Sequence, residues 1–266
     1  MIHMITDLEQ VNGHLQSLRI NKEKTQKTQA LASAKRIVSF SPHPDDSEIV
    51  AGGFLAGAVE RGAEVKVVVV SDDRMSLTAI AKPLPMEEIA ALRKKEELEA
   101  MSILGIKNVE FLEYTDSEVP EPRRLSRDFM RIMRAFQPDL AVTVDPFLPY
   151  EAHPDHINTG RGVMEAVLFH AYPYIMRDAK VNSQAPNLAL GASAIPNAVV
   201  SIDHTIDRKV TAVLAHKSQW PDPKKMEDRI RKLSAGYGKL AGYSYGEAFK
   251  VLLPDEIHVD PFASLP

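Results

Sequence analysis

Two short apolar segments, Arg36-Ile-Val-Ser-Phe-Ser41 and Glu64-Val-Lys-Val-Val-Val-Val70, are separated by one helix-length stretch that ends at Gly62. Runs this short and this rich in β-branched residues read as strands covered on both faces. The stretch between them, from about Ser47 to Arg61, carries Ala51, Gly52, Gly53, Ala56 and Gly57, small residues that let a helix approach a sheet closely. Strand, helix and second strand make a parallel pair, because strands in that relation need a helical crossover. The rhythm continues with a helix from about Glu87 to Leu104 closed by Gly105, a short strand Val109 to Leu112, a helix around Leu125 to Phe136 and a strand Leu140 to Val144. A helix from roughly Pro154 to Phe169, a looser Pro/Asn/Ala-rich stretch around 180 to 197, a strand at Ala198 to Ile202, a helix from Thr205 to Lys217 and a strand-like Phe249 to Leu253 follow. The expected class is α/β, Rossmann-like, a mostly parallel sheet with helices on both faces.

Residues 1–35 are polar, with Ile5, Leu8, Leu15, Leu18 and Ile20 near helical spacing, and read as an N-terminal helical arm before a single domain spanning 36–266. A chain of 266 residues fits one domain of the larger sort. It contains no cysteine, which excludes a disulfide framework, a thiolate zinc cluster, an iron–sulfur site and a cysteine nucleophile together. Nine histidines and 36 carboxylates remain as ligands. A net charge of −4 with both signs interspersed gives no reason to expect nucleic acid or an anionic membrane as partner, and points to a small neutral molecule. Met1 to Arg36 holds no continuous hydrophobic stretch of the targeting kind, so the chain is expected in the cytoplasm.

In an open parallel sheet, ligands sit beyond the carboxyl ends of the strands. Four polar clusters fall there: His43-Pro44-Asp45-Asp46, Ser71-Asp72-Asp73-Arg74, Glu113-Tyr114-Thr115-Asp116, and Asp145 with His153-Pro154-Asp155-His156. His43 and Asp46, three residues apart across a stiff turn, can offer a nitrogen and an oxygen to one cation, and His153 or His156 can add the third bond. Three protein ligands leave a position open for water, the arrangement of catalytic rather than structural zinc. Asp45, beside those ligands, can then take a proton as general base. Asp72 and Asp73 read as a solvated turn, and the glycines at 52, 53 and 57 as helix packing, because their spacing is wrong for a dinucleotide fingerprint.

The run Ser41-Pro-His43-Pro-Asp45-Asp46-Ser-Glu48 with Gly52-Gly53 resembles the signature of the zinc-dependent N-acetylglucosamine deacetylases that include the PIG-L and LmbE proteins. Further matches are Arg93-x-x-Glu96 with Leu104-Gly105, Tyr114-Thr-Asp116, His153-Pro-Asp-His156 and Ala215-His216-Lys-Ser-Gln219, so the likeness covers roughly 36–253. Asp145-Pro-Phe-Leu-Pro-Tyr-Glu-Ala-His153, Tyr245-Gly-Glu-Ala-Phe249 and Ile257-His258-Val-Asp-Pro-Phe262 are similar to the diacetylchitobiose deacetylase branch. Asp72-Asp73-Arg74 and Ser201 depart from the family pattern, which leaves the sugar-facing loops different.

The resemblance implies an LmbE-like fold, one zinc per chain held by His43, Asp46 and His156, and Asp45 as base. It implies that His153 stabilises the oxyanion or protonates the leaving amine, with Asp155 orienting and charging it. Arg93, Asp116, His216 and His258 match positions that contact the sugar, the last across a subunit boundary; the plainer alternatives are a buried Arg93 paired to Glu96, a turn aspartate at Asp116, a helix-end His216 bonding a carbonyl and an exposed tail histidine at His258. The implied reaction is removal of an acetyl group from an N-acetylated amino sugar by a homo-oligomer, trimer or hexamer. The competing readings are a metal phosphoesterase and a non-catalytic sugar-binding protein of the same fold.

Overall fold

The computed structural model describes residues 26–76, 79, 83–179, 181, 184–260 and 263. The arm expected over 1–35 therefore lies largely outside the described residues; its last part is a helix, α1 (Gln26–Ser33), which seats Leu31 in the core. The chain then runs β1 (Arg36–Ser41), α2 (Asp46–Glu60), β2 (Glu64–Ser71), α3 (Met86–Leu104), β3 (Asn108–Tyr114), α4 (Pro122–Phe136), β4 (Leu140–Val144), α5 (Pro154–Phe169), β5 (Asn187–Gly191), β6 (Ala198–Ser201), α6 (Ile206–Leu214), α7 (Pro223–Ala241) and β7 (Gly246–Leu252). The seven strands form one sheet in the order β3-β2-β1-β4-β5-β7-β6. Pairs from β3 through β5 are parallel, and β7 runs antiparallel to both β5 and β6.

Alternation along the strands sends side chains to both faces. Val65, Val67 and Val69 of β2 join Leu55 of α2 and Met101 of α3 in one core, while Val68 and Val70 join Phe129 of α4 and Val163 of α5 in the other. A third cluster, Ile202, Ile206, Val213, Met226 and Ile230, fastens α6 and α7 to the outside of α2's layer. Gly53 shows why α2 is rich in small residues: a Cβ there would stand 2.7 Å from Ile202 Cγ2.

Two elements were not legible in the sequence. β5 falls inside the stretch expected to be loose, and it owes its place to pairing with β4 on one side and β7 on the other. The helix α7 buries only Met226, Ile230, Ser234 and Gly238, a narrow stripe at intervals of four on an otherwise charged sequence. No helix among the described residues is long and apolar enough to cross a membrane.

The strand order reverses between β1 and β4: the chain leaves β1 toward β2 and returns from β3 to the opposite side. Such a switch point opens a crevice at the carboxyl ends of the two strands. The segments at those ends are His43–Asp46 and Asp145–His156.

Candidate active site

The turn after β1 is built around Ser41, whose hydroxyl donates to the His43 carbonyl at 2.7 Å and accepts the N–H of Ser47 at 3.0 Å. It thereby caps α2 in place of Asp45, which makes no side-chain cap bond. The second segment is fixed by Pro154 at the first position of α5 and by His153 as N-cap, its Nδ1 accepting the N–H of Asp155 at 3.3 Å.

Together these turns bring three side chains to one point. His43 Nδ1 lies 3.2 Å and His156 Nε2 3.4 Å from the same oxygen, Oδ2 of Asp46. The ligand atoms of these three residues all fall within 4.8 Å of one another. Behind each imidazole stands a carboxylate: His43 Nε2 is 3.2 Å from Asp155 Oδ2, and His156 Nδ1 is 3.2 Å from Glu151 Oε2. Metal-bound histidines almost always give their second nitrogen to such an oxygen, which fixes ring and tautomer. Two nitrogens and one oxygen, converging and backed in this way, fit a divalent cation such as zinc.

The charges agree. Burial works against the charged form of His43, but Asp116, Asp155 and Asp46 override it and hold its pKa well above the ordinary value. His156 is likewise disfavoured by burial, yet Asp46 and Glu151 bring it up to about 10. Asp46, despite its burial, is held well below the usual carboxylate range by His156 and His43. The cluster attracts positive charge.

Asp45, the neighbour of a ligand, faces differently. Burial raises its carboxyl to about 7 against the pull of the Arg93 guanidinium, with Asp46 adding to the rise. His153 packs against both ligand rings, its centroid 4.6 Å from that of His43 and 5.1 Å from that of His156. Burial and the two neighbouring imidazoles lower its pKa. With Nδ1 accepting a backbone N–H, the neutral ring carries its proton on Nε2 and is a donor.

Several expected roles change. The Asp155 carboxylate acts on His153 only through its charge, and its hydrogen bonds go elsewhere: Oδ2 bonds His43 and the N–H of Ser117, and Oδ1 takes the N–H of Val119. Its place is behind His43. Asp116, 2% exposed, accepts the N–H of Met75 at 3.0 Å and lies 3.5 Å from His43 Nε2, so it too faces the ligand rather than an open subsite. Arg93 has no exposed surface and gives a sugar nothing to touch. Its Nε donates to Asp73 at 2.5 Å, Nη1 to Glu96 at 2.9 Å, and Nη2 to Asp45 Oδ2 at 2.9 Å, so the alternative of a buried arginine paired to Glu96 describes it. Asp73 is buried against that guanidinium and is not a solvated turn residue. His216, also fully buried, accepts from Arg93 at Nδ1 and donates to Glu48 from Nε2 at 2.8 Å, which is neither a carbonyl cap nor a sugar contact. His258 is exposed beyond β7 and belongs to none of the described ligand clusters.

Glu151 and Glu97 were missed as site residues. Glu151 stands five positions before His156 in a run noted only for its branch likeness, and nothing in that spacing says it backs an imidazole. Glu97 follows the noticed Glu96 and accepts the N–H of Asp45 at 3.2 Å.

Comparison with known proteins agrees with this geometry. Residues 38–167 match the family described as GlcNAc-PI de-N-acetylase, PIG-L. The chain is 30% identical over 235 residues to a diacetylchitobiose deacetylase of Thermococcus kodakarensis, covering 86% of this chain and 87% of the relative. It is 27% identical to a 1D-myo-inositol 2-acetamido-2-deoxy-alpha-D-glucopyranoside deacetylase of a Mycobacterium species, over 69% of this chain and 74% of that one. Among solved structures, the N,N'-diacetylchitobiose deacetylase of Pyrococcus horikoshii, complexed with an inhibitor, superposes with a TM-score of 0.85 at 32% identity over 100% of both chains. A 4-carboxy-2-hydroxymuconate hydratase from Pseudomonas putida shares the fold with a TM-score of 0.72 at 20% identity, over 83% of this chain and 97% of that one. From the matched segment, the near-full-length relatives and the histidine–aspartate cluster at the switch point, the chain belongs to the PIG-L family of de-N-acetylases.

Proposed function

We propose that the protein is a zinc hydrolase that removes the acetyl group from an N-acetylglucosamine-type sugar, with diacetylchitobiose as the first candidate substrate. The observation that carries the reading is the pair of imidazoles turned to one Asp46 oxygen, each backed by its own carboxylate, with Asp45 alongside. The hydratase on the same fold is a reminder that architecture alone does not choose the reaction.

His43, Asp46 and His156 would hold the ion; when bound, zinc polarises a carbonyl and lowers the pKa of water to about 7. Asp45, with a pKa near that value, takes the proton of the attacking water as general base. The new C–O bond forms at the acetyl carbon as the proton reaches the Asp45 carboxylate. His153, donating a hydrogen bond from Nε2, holds the oxygen that gains charge. The proton held by Asp45 passes to the departing nitrogen as the C–N bond breaks, and acetate and a free amine leave.

Access favours this ligand set over the other cluster that shares His43. Asp46 and His156 keep 12% and 14% of their side-chain surface, against 3% and 1% for Asp116 and Asp155. A phosphoesterase normally wants two cations about 3.5–4 Å apart. The remaining cluster among the described residues, Glu48, Glu97 and His216, is fully buried, so one ion per chain is expected. The test is acetate release from N-acetylglucosamine, diacetylchitobiose and N-acetylglucosaminyl conjugates, with and without chelator. Chelator-sensitive release supports the reading, and silence on every sugar removes it in favour of a binding protein. The assembly we propose is a homo-oligomer in which the exposed His258 segment meets a neighbour's site; a solution mass of 29.5 kDa by light scattering would overturn that part.

A further inference from the structure

Asp45 has a φ of 105°, a backbone conformation that a residue with a Cβ keeps only when its surroundings impose it. The peptide that links Pro44 to Asp45 is gripped at both polar atoms. Its carbonyl, on Pro44, accepts from Arg93 Nη2 at 2.5 Å, and its N–H, on Asp45, donates to Glu97 Oε2 at 3.2 Å. Arg93 and Glu97 are four residues apart and therefore share one face of α3. A single face of one helix thus holds both ends of one peptide plane, and Arg93 also takes the Asp45 carboxylate.

Glu97 has no exposed surface, shares a side-chain hydrogen bond with the equally buried Glu48, and lies 3.6 Å from His216 Nε2. Burial and the neighbouring Glu48 carboxylate push its pKa well above the ordinary value, against the favourable presence of His216. A buried acid beside a second buried acid is a cost to the fold. A residue that costs stability while gripping the peptide of the base has its return in alignment.

We infer that Glu97 is a positioning residue for the deacetylation, holding the Pro44–Asp45 peptide plane with Arg93 so that the Asp45 carboxylate stays aimed at the attacking water. This rests on the reading of Asp45 as general base. It extends that reading from the residue that moves the proton to the one that keeps it in place. Misplacement of a catalytic group by about 1 Å can cost about a hundredfold in rate.

The test uses the metal-loaded full chain and the best substrate of the acetate-release screen. Glu97→Ala is expected to lower kcat by about tenfold to a hundredfold, with KM and metal content unchanged. Glu97→Gln keeps an acceptor oxygen without the buried acid; it should recover most of the lost kcat and melt no lower than the parent. In an Asp45→Asn background, Glu97→Ala should change the residual rate little, because the group it positions is gone. The inference is overturned if Glu97→Ala leaves kcat intact, if its loss follows lost metal, if Glu97→Gln is as impaired as the alanine variant, or if the same fold-loss appears in the Asp45→Asn background. An Asp45→Asn enzyme that stays active removes the base assignment itself. Inactive Asp45→Asn with fully active Glu97→Ala removes only the positioning role.

Discussion

Asp45 and Asp46 are neighbours in the chain, yet their environments drive their carboxyls in opposite directions. Asp46 lies between two imidazoles and is held ionised, whereas burial lifts Asp45 to about 7. In the proposed reaction, adjacent acids pushed apart in this way would divide the work between ligand and base. Asp45→Asn is accordingly expected to keep its metal, measured by elemental analysis, and to lose turnover by about a hundredfold or more. Asp155 and Glu151 call for the opposite result. Asp155→Asn and Glu151→Gln replace the carboxylates behind His43 and His156 with uncharged amides, so each should weaken metal affinity about 10- to 100-fold in chelator competition. An Asp155→Asn enzyme with unchanged affinity and only a slower rate would return Asp155 to His153. The convergence of His43, Asp46 and His156 was legible because both turns carry their chemistry within four residues. Arg93's true partners were not: Asp73 is 20 positions away and Asp45 is 48, and linear spacing carries no record of contacts made across a fold.

The turns matter because of the elements that end in them. β1 and β4 are paired in parallel, Ile37 to Leu140 through Ser39 to Val142, so their carboxyl ends lie side by side and deliver His43 and His156 to one crevice. The separation from α5 to β4 is set at Gly160, where a Cβ would stand 2.8 Å from two carbons of Pro146 and 2.9 Å from the carbonyl oxygen of Val144. A backbone oxygen cannot swing aside as a long side chain can. Gly160→Ala should therefore cost about 1–3 kcal/mol, seen in denaturant unfolding, and weaken metal binding by moving His156 with its helix. Most elements could be read in the sequence because the first half repeats a strong pattern. β1 and β4 match their expected bounds, as does α5, whose Pro154 marks its start. β5 and α7 escaped for different reasons: β5 is a five-residue strand specified by its neighbours, and α7 shows the core only a thin stripe.

At the scale of the molecule, stability should depend on pH through a group far from the site. His170, just after α5, is fully buried, and neither ring nitrogen has a hydrogen-bond partner among the described residues. Burial, with the Arg134 charge, lowers its pKa to about 4. The unfolded chain takes up a proton near pH 6.5 and the folded chain resists doing so until about 4. The unfolded state thus binds more protons across that window, and stability present above pH 6.5 is lost as the pH falls toward 4. Replacing His170 with Phe should flatten this acid limb in urea midpoints measured between pH 7 and 4. A limb of unchanged slope would place the titration elsewhere.

The same molecule also shares its labour unevenly along the chain. Residues 38–167 hold every group assigned to the reaction, from His43 to His156. Yet Ser218 donates to both oxygens of Glu96, and His216 donates to Glu48, so the later half of the chain underpins the network beneath Asp45. Severed after α5, the polypeptide would carry a full set of reagents on an unfinished foundation. The later half supplies alignment without supplying a reagent, and drift in its sequence can erode the rate while every signature residue remains in place.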